Sequence, residues 1–131
     1  MQLNCYISSL WGGNPGKIVE LWGDEAILIV VSQQVLDEYF NVLNRFDLSE
    51  EDIEDLTILF ANPDKTIIVE PKVKIHLIKE DPEDNKFLEC ALEGKTKFIV
   101  SGDKHLLSLK YFQDIRIVTA SEFLNLTNEN V

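Results

Sequence analysis

AILIVV, residues 26–31, is an unbroken apolar run rich in isoleucine and valine. The run is much shorter than a typical helix, and its β-branched side chains favour an extended backbone. A strand without polar residues is buried on both faces, as are the strands of parallel sheets that helices cover on both sides. The run therefore predicts a strand that is buried on both faces, as in a parallel sheet.

The sequence on both sides of this run alternates between short β-rich segments and segments with helical periodicity. Ser32 and Ser49 stand at N-cap positions, and Gly94 stands where a helix should end. This alternation predicts an α/β fold with a mostly parallel central sheet. The predicted extended segments are residues 3–7, 26–31, 66–69, 73–77, 98–100 and 115–118, and the predicted helices are residues 17–22, 33–45, 50–60, 82–92, 104–110 and 120–124.

Length and composition are those of one globular domain. The chain has 131 residues, of which 45% are hydrophobic and 27% are charged. We expect a single domain over residues 1–125 and a polar tail over residues 126–131. No apolar run approaches the roughly 18 residues of a membrane span, and the start of the sequence does not resemble a signal peptide. With only two cysteines, these features predict a cytoplasmic protein without disulfides.

The charge balance limits the ways in which the chain can bind nucleic acid. Twelve Lys and Arg residues stand against 23 Asp and Glu residues, which gives a formal net charge of −11. A polyanion is repelled by such a chain at long range. If the substrate is nucleic acid, then bound cations, a local basic strip or an oligomeric groove must supply the attraction.

Three acidic residues occupy positions at which α/β proteins place functional groups. Asp103 follows the predicted strand 98–100, and ligands of parallel sheets bind beyond the carboxyl ends of the strands. Asp84 lies in the first turn of its helix, in line with the apolar stripe, and Glu38 lies at the edge of the apolar face of helix 33–45. A carboxylate in such a place is costly to bury unless it is paired or metal-bound.

Each of these residues also has a purely structural interpretation. Asp81 at an N-cap position and Asp84 three residues later form a start similar to a capping box. Asp103 is in the position of an N-cap for the next helix, and Glu38 is in a position common for a solvated helix glutamate. Taken singly, the residues leave both interpretations open.

Taken together, the three carboxylates point to a divalent cation. Carboxylates that converge at one sheet edge repel each other, so cations or raised pKa values normally neutralise such a cluster. Hard oxygen ligands suit Mg²⁺ or Mn²⁺, and two such ions can support phosphodiester cleavage. We therefore predict that Glu38, Asp84 and Asp103 form one cluster at the carboxyl edge of the sheet.

Several segments resemble one known family. The longest of them, DPEDNKFLECALEGKTKFIVSGDKHLL at residues 81–107, strongly resembles the carboxyl half of PIN-domain proteins. The subgroup that it resembles most is the PIN-family toxins of prokaryotic toxin–antitoxin pairs. The most specific element is the spaced pair Asp84 and Asp103, with a helix and a strand between them. Three further segments fit the same family: VSQQVLDEYFNVL at residues 31–43, NCYISSLWGG at residues 4–13 and IVTASEFL at residues 117–124.

The resemblance implies a flavodoxin-like α/β/α sandwich of three layers and cleavage of single-stranded RNA that depends on Mg²⁺ or Mn²⁺. It also implies an antitoxin as a protein partner and a homodimer or higher oligomer. The residues that match the family's site are the catalytic and metal-binding Glu38, Asp84 and Asp103, the accessory metal-binding Asp81, and the flanking substrate-binding Asn4 and Ser32.

One position departs from the family pattern. The family's first strand ends in Asp, a small polar residue and Asn, whereas the same register here reads Gln2-Leu3-Asn4. The first metal-binding Asp is thus replaced by Gln2, whose amide is a weaker ligand for a hard cation. We expect either a chain shortened at a mis-set start or a degenerate site.

Three functions compete on these observations. The first is a metal-dependent ribonuclease that pairs with an antitoxin. The second is a catalytically weakened PIN-like module that binds RNA or a protein, which the replacement at Gln2 favours. The third is a phospho-accepting receiver-like domain, which would need a pair of acids after the first strand, where Asn4 and Cys5 stand instead. Metal-dependent RNA cleavage distinguishes the first two, and phosphorylation by a small phosphodonor would favour the third.

Overall fold

The computed structural model describes residues 3–7, 15–43, 49–80 and 82–129 of the chain, with side chains at positions 18, 20–41, 49–80 and 82–126. Strands and helices alternate along it, as the sequence predicts. The elements are β1 (Leu3–Ile7), α1 (Pro15–Gly23), β2 (Ile27–Ser32), α2 (Gln33–Leu43), α3 (Glu50–Ala61), β3 (Thr66–Val69), a 3₁₀ turn (Pro82–Asp84), α4 (Asn85–Glu93), β4 (Phe98–Val100), α5 (Lys104–Leu107), β5 (Tyr111–Phe112), β6 (Ile115–Val118) and α6 (Ala120–Glu129).

The six described strands form one sheet in the order β3-β2-β1-β4-β6-β5. The first five strands of this order pair in parallel, and only β5 pairs antiparallel, with β6. The chain steps outward from β1 to β2 and β3, and then crosses back past β1 to β4. Because parallel crossovers are right-handed, this reversal places helices on both faces of the sheet. The predicted α/β fold with a mostly parallel sheet is confirmed.

The run that suggested a parallel sheet forms β2, near the centre of the core. Every residue of β2 is buried except the half-buried Leu28. Val30 faces α4, and the neighbouring residues Ile29 and Val31, which point to the opposite face, are buried as well. This burial on both faces is the reason for the absence of polar residues in the run.

Gly94 ends α4 at the point where the helix approaches β2 most closely. A methyl group added at Gly94 would overlap Cγ1 of Val30, which is fully buried. We expect Gly94→Ala to lower the free energy of unfolding by about 1–3 kcal/mol, the usual cost of overpacking. Urea denaturation would measure this loss.

The matched control is Gly23→Ala at the end of α1, because nothing lies within 4 Å of a methyl group added there. This variant should be neutral or slightly stabilising, since alanine favours the helix. Val30→Ala should partly relieve Gly94→Ala, so the two changes should be less than additive. Equal stability of the two glycine variants would contradict the close approach of α4 to β2.

Four segments differ from the sequence prediction. Residues 73–77 form no strand, and α5 ends at Leu107 rather than near residue 110. The two-residue strand β5 was not predicted. The last helix, α6, continues to Glu129, and Leu126 packs against the core. The predicted boundary between domain and tail at residue 125 therefore falls inside α6.

None of the helices in the described segments has the length and apolar character that crossing a bilayer requires. Cys90, on α4, is a free thiol in the core, and burial raises its pKa to about 12. Its thiol therefore stays neutral at physiological pH and behaves as a small apolar group. The side chain of Cys5 lies outside the described part of the chain.

Candidate functional site

Ser32 lies where β2 passes directly into α2. Its side chain is 1% exposed, and its hydroxyl accepts a hydrogen bond from the backbone N–H of Val35 at 3.3 Å. The residue therefore caps α2, as the sequence predicts. Because β2 is parallel and Ser32 is its last residue, the cap also fixes Ser32 at the carboxyl edge of the sheet.

Asp84 ends the short 3₁₀ turn that leads into α4. The residue is buried, at 8% exposure, and its side chain makes no capping hydrogen bond to the helix. Asp81, the other member of the predicted capping box, lies outside the described residues, so the capping-box interpretation of Asp84 stays a prediction. A buried carboxylate that does not cap its own helix keeps the functional interpretation of Asp84 open.

Asp103 lies three residues beyond the end of β4, and it does act as a helix cap. Its Oδ1 atom accepts hydrogen bonds from the backbone N–H groups of His105 at 2.7 Å and Leu106 at 3.4 Å. The backbone N–H of Asp103 in turn donates to Oγ of Ser101 at 2.9 Å. Both capping bonds use the same oxygen, so the structural role occupies only one side of this half-buried carboxylate. A cap and a ligand are compatible at this position.

Glu38 projects from α2 towards the first turn of α4. Its Oε2 atom lies 3.3 Å from Nζ of Lys86, and the same ammonium lies 3.6 Å from Oε2 of Glu83. Lys86 follows Asp84 by two residues. The fold thus brings Glu38 to the amino end of α4, where Asp84 is located, and Glu38 is more than a solvated helix glutamate.

Asn4 lies farther from the carboxyl edge of the sheet than Ser32 does. The register pairs it with Leu28, four residues before Ser32 on the neighbouring strand. That separation is about 13 Å along the strand at the usual rise per residue. The register therefore does not bring Asn4 to the edge on which Ser32 lies, and the described strand β1 contains no carboxylate. Gln2, the predicted replacement for a metal ligand, lies outside the described residues.

The donor chemistry of the acids fits a hard divalent cation, because carboxylate oxygens are the preferred ligands of Mg²⁺ and Mn²⁺. In the described part of the chain, these acids are not arranged as a metal-binding site. Among the described residues, no three Asp, Glu, His or Cys side chains are grouped closely enough to hold a metal ion. The predicted cluster of Glu38, Asp84 and Asp103 thus stays a prediction.

Two neighbouring cavities form a groove between the ends of β2 and β3 and the amino end of α4. The first, of about 500 Å³, lies against Ser32 and Val69, the last residues of β2 and β3. The second, of about 440 Å³, reaches the amino end of α4 at Asn85 and Lys86. Gln34, Lys74 and Glu89 line both cavities, so the two spaces are continuous along one wall.

Basic and acidic side chains alternate along the groove, whose acids are Asp37, Glu70, Glu83 and Glu89. Lys72, Lys74 and His76 come from the segment between β3 and α4, and Lys86 comes from α4. These four residues were not predicted from the sequence as part of a site. The signal that could have found them is the alternation in KVKIH, residues 72–76, which places basic side chains at every second position of an extended segment.

Polar side chains of α4 hold this basic segment in place. The backbone N–H of Lys72 donates to Glu93 at 3.0 Å, and that of Ile75 donates to the buried Glu89 at 2.9 Å. The Asn85 side chain accepts from the N–H of Ile78 and donates to its carbonyl, both at 2.9 Å. Since Asn85, Glu89 and Glu93 are spaced by four residues, they share one face of α4.

These bonds explain why residues 73–77 form no strand, because side chains of a helix take the place of a neighbouring strand. Glu89 is a functional candidate that the sequence analysis missed. In the sequence, Glu89 has the position of an ordinary helix glutamate. Its burial and its hydrogen bond from Ile75, 14 residues earlier, show that it holds the segment before α4 in place.

Comparison with known proteins yielded one family and no individual relatives. No match was found among curated proteins or among solved structures. A sequence model of the PIN domain matches residues 3–105, which include β1 to β4, both cavities and the acids described above. PIN domains are nuclease-type modules that generally use divalent metals and commonly bind RNA. Because the match spans well over half of the sequence, the chain belongs to the PIN-domain family.

Proposed function

We propose that the chain is a metal-dependent ribonuclease that cleaves single-stranded RNA, and that it is the toxin of a toxin–antitoxin pair. The observation that supports the proposal is the presence of acids and lysines at the amino end of α4. Glu38 pairs with Lys86, two residues after the buried Asp84, and Lys74 and Lys86 line the cavity there. Nuclease sites need this combination of groups that hold phosphates and groups that hold cations.

The lysines of the groove and bound cations together would offset the unfavourable net charge. A chain with a formal charge of −11 repels RNA unless a local cationic surface lies at the site. Lys72, Lys74 and Lys86, together with His76, line the two cavities beside the acids Asp37, Glu70, Glu83 and Glu89, so bound divalent cations would have to supply part of the attraction. The groove reaches the carboxyl edge of the sheet at Ser32 and Val69.

In this proposal, Glu38, Asp84 and Asp103, with Asp81 as an accessory acid, would hold Mg²⁺ or Mn²⁺. A bound divalent cation supplies an activated water molecule and neutralises charge at the cleaved phosphate. The protein's own part is to hold the carboxylates at the groove and to position the phosphates with lysine side chains. An antitoxin and further copies of this chain are the proposed protein partners.

The direct test is cleavage of a fluorescent single-stranded RNA by the purified chain. We expect slow cleavage that requires a divalent cation, is faster with Mn²⁺ than with Mg²⁺, and stops with excess chelator. The same sequence as a duplex is the matched control and should be cut much more slowly. Cleavage that continues unchanged in chelator would contradict metal-dependent catalysis.

A catalytically weakened PIN-like module that binds RNA or a protein is the second candidate. It is favoured by the ion pair between Glu38 and Lys86 and by the lack of a carboxylate in the described strand β1. This candidate predicts RNA binding that falls with added salt, without cleavage in any divalent cation. The same RNA, measured by anisotropy and by gel, distinguishes the two functions.

A further inference from the structure

β3 lies at one end of the sheet, and among the described strands it pairs only with β2. The backbone N–H of Ile29, on β2, donates to the carbonyl of Lys65 at 3.1 Å. In this parallel register Ile67 also directs its backbone groups towards β2. The N–H and C=O groups of Ile68 therefore point away from the sheet, at an edge where a further strand can add hydrogen bonds.

Apolar side chains are exposed around this edge. Ile67 is 39% exposed and Ile68 is 57% exposed, and the strand TIIV contains none of the charged side chains that usually protect an edge strand. In the described part of the chain, five of the six exposed large hydrophobic residues lie on α3, on β3 or on the segment that follows β3. They are Ile58, Ile67, Ile68, Val73 and Leu77. Such a concentration is typical of an interaction surface.

The sequence around β3 is strongly acidic. Residues 49–71, which contain α3 and β3, carry seven acidic side chains, and all seven are exposed. Five of them lie within residues 50–55, at the amino end of α3. The one basic residue of this stretch is Lys65, and its ammonium donates a hydrogen bond to the carbonyl of Gly23. The lysine therefore does little to offset the acids.

α3 lies against β3, so its acids are close to the open edge. A tight turn joins the two elements, in which the N–H of Lys65 donates to the carbonyl of Asn62 at 3.0 Å. The hydroxyl of Thr66, the first residue of β3, donates to the carbonyl of Leu59 on α3 at 2.8 Å. Because the turn reverses the chain, the acidic amino end of α3 lies towards the carboxyl end of β3.

We propose that the open edge of β3 binds an extended segment of another protein in which basic and apolar residues alternate. Side chains of a strand point alternately to the two faces of a sheet. One register of the added strand therefore places all its basic side chains on the α3 face. Its apolar side chains then lie on the opposite face with Ile67, which is in register with Val30 beneath α4. This surface goes beyond the proposed nuclease function and does not depend on RNA cleavage.

Charge argues against two other occupants of the edge. RNA is a polyanion, which the exposed acids of α3 repel. A second copy of this chain, paired antiparallel through β3, would carry its α3 on the same face of the joined sheet and bring the acids of both helices together. Lys72 and Lys74 do not change this balance at the edge, because after Pro71 the segment bonds to α4.

The experiment measures the binding of a fluorescein-labelled peptide in which Lys and Val alternate, by anisotropy at fixed ionic strength. The matched control is the same peptide with an N-methyl group on every second residue, which removes the hydrogen-bond donors of one edge and keeps the charge. We expect the control peptide to bind at least about tenfold more weakly. A peptide in which Glu replaces Lys should bind more weakly still, because the acids of α3 repel it.

Two variants of the chain locate the binding surface. Ile68→Lys places a charge on the open edge, and Glu54→Lys reverses one charge on α3. Both residues are exposed, so circular dichroism melting curves should stay native. We expect each variant to bind the Lys–Val peptide about three- to tenfold more weakly. The matched control is Asp114→Lys, in the exposed turn between β5 and β6 at the other end of the sheet, which should stay within about twofold.

Hydrogen exchange by NMR tests the strand addition directly, because the outward N–H of Ile68 should exchange more slowly when the peptide is bound. Equal binding of the peptide and its N-methylated form, or an unchanged exchange rate at Ile68, would overturn the proposal. Native affinity of Glu54→Lys would also overturn it, since the acids would then have no part in binding. If the chain alone forms a dimer that Ile68→Lys dissociates, the edge binds a second copy and the proposal is wrong.

Discussion

Replacement of Asp84 by asparagine is expected to lower the rate of RNA cleavage by about a hundredfold or more, a typical loss when a charged catalytic group is removed. Asp84 is buried at the amino end of α4, and asparagine has nearly the same shape and is as good as aspartate at helix starts, so the substitution should keep the fold. Single-turnover cleavage in Mn²⁺ measures the effect. Asp55→Asn, an exposed acid on α3, is the control and should retain the native rate.

Asp103 offers a sharper test, because its structural and functional roles can be separated. Asparagine is as good an N-cap as aspartate, so Asp103→Asn should keep the cap of α5 and the native melting temperature. Asp103→Ala should lose the cap as well, at a cost of about 1 kcal/mol. If Asp103 also binds metal, both variants should lose cleavage about equally.

The losses at the two acids should not add, because carboxylates that hold one ion act as a unit. The double variant Asp84→Asn with Asp103→Asn should therefore be no slower than either single variant. Full activity of Asp103→Asn together with reduced stability of Asp103→Ala would leave Asp103 with its capping role alone. Native activity of Asp84→Asn would contradict the proposed site.

The largest effect on stability is expected from Trp22→Ala. Trp22 is completely buried on α1, and its ring centre lies 4.8 Å from that of Phe60 in an edge-to-face contact. Its indole N–H donates to the carbonyl of Lys65 and the hydroxyl of Thr66, each at 3.2 Å. The variant loses this packing and leaves a cavity where α1, α3 and β3 meet. We expect a loss of about 3–5 kcal/mol in urea denaturation.

Trp22→Phe separates the contribution of aromatic packing from the contribution of the indole hydrogen bonds. It keeps an aromatic ring against Phe60 but removes the indole N–H, so its cost should be clearly smaller. Ile58→Ala is the matched surface control, because Ile58 is 64% exposed and little area is lost there. Its effect should stay within about 0.5 kcal/mol. A loss below about 1 kcal/mol for Trp22→Ala would contradict the tight packing at this junction.

Much of the fold could be predicted from signals that operate within a few residues. The apolar run 26–31 indicated a strand buried on both faces, and the structure buries β2 in this way. Ser32, Ser49 and Asp103 all cap the helices that follow them, as their positions predict. Such signals are readable because an N-cap or a buried strand depends on the backbone and apolar pattern of its own segment.

The candidate site could be predicted only in part. The sequence placed Asp84 and Asp103 near the edge of a sheet, since both lie next to predicted strands or helix starts. It could not show that Asp103 uses one oxygen as a cap, or that Asp84 is buried without capping its helix. Burial and bond direction depend on packing between segments, which sequence spacing does not specify.

The sequence by itself determined the alternation of strands and helices, the parallel sheet and the acids that accompany it. Only the tertiary structure decided that residues 73–77 bond to α4 instead of forming a strand, that the lysines of that segment line a groove, and that Lys86 pairs with Glu38. The physical reason is the separation in sequence over which each kind of interaction acts. Capping and apolar periodicity act between neighbours in sequence, whereas Lys86 and Glu38 are 48 residues apart and meet only because α2 and α4 pack at the same end of β2.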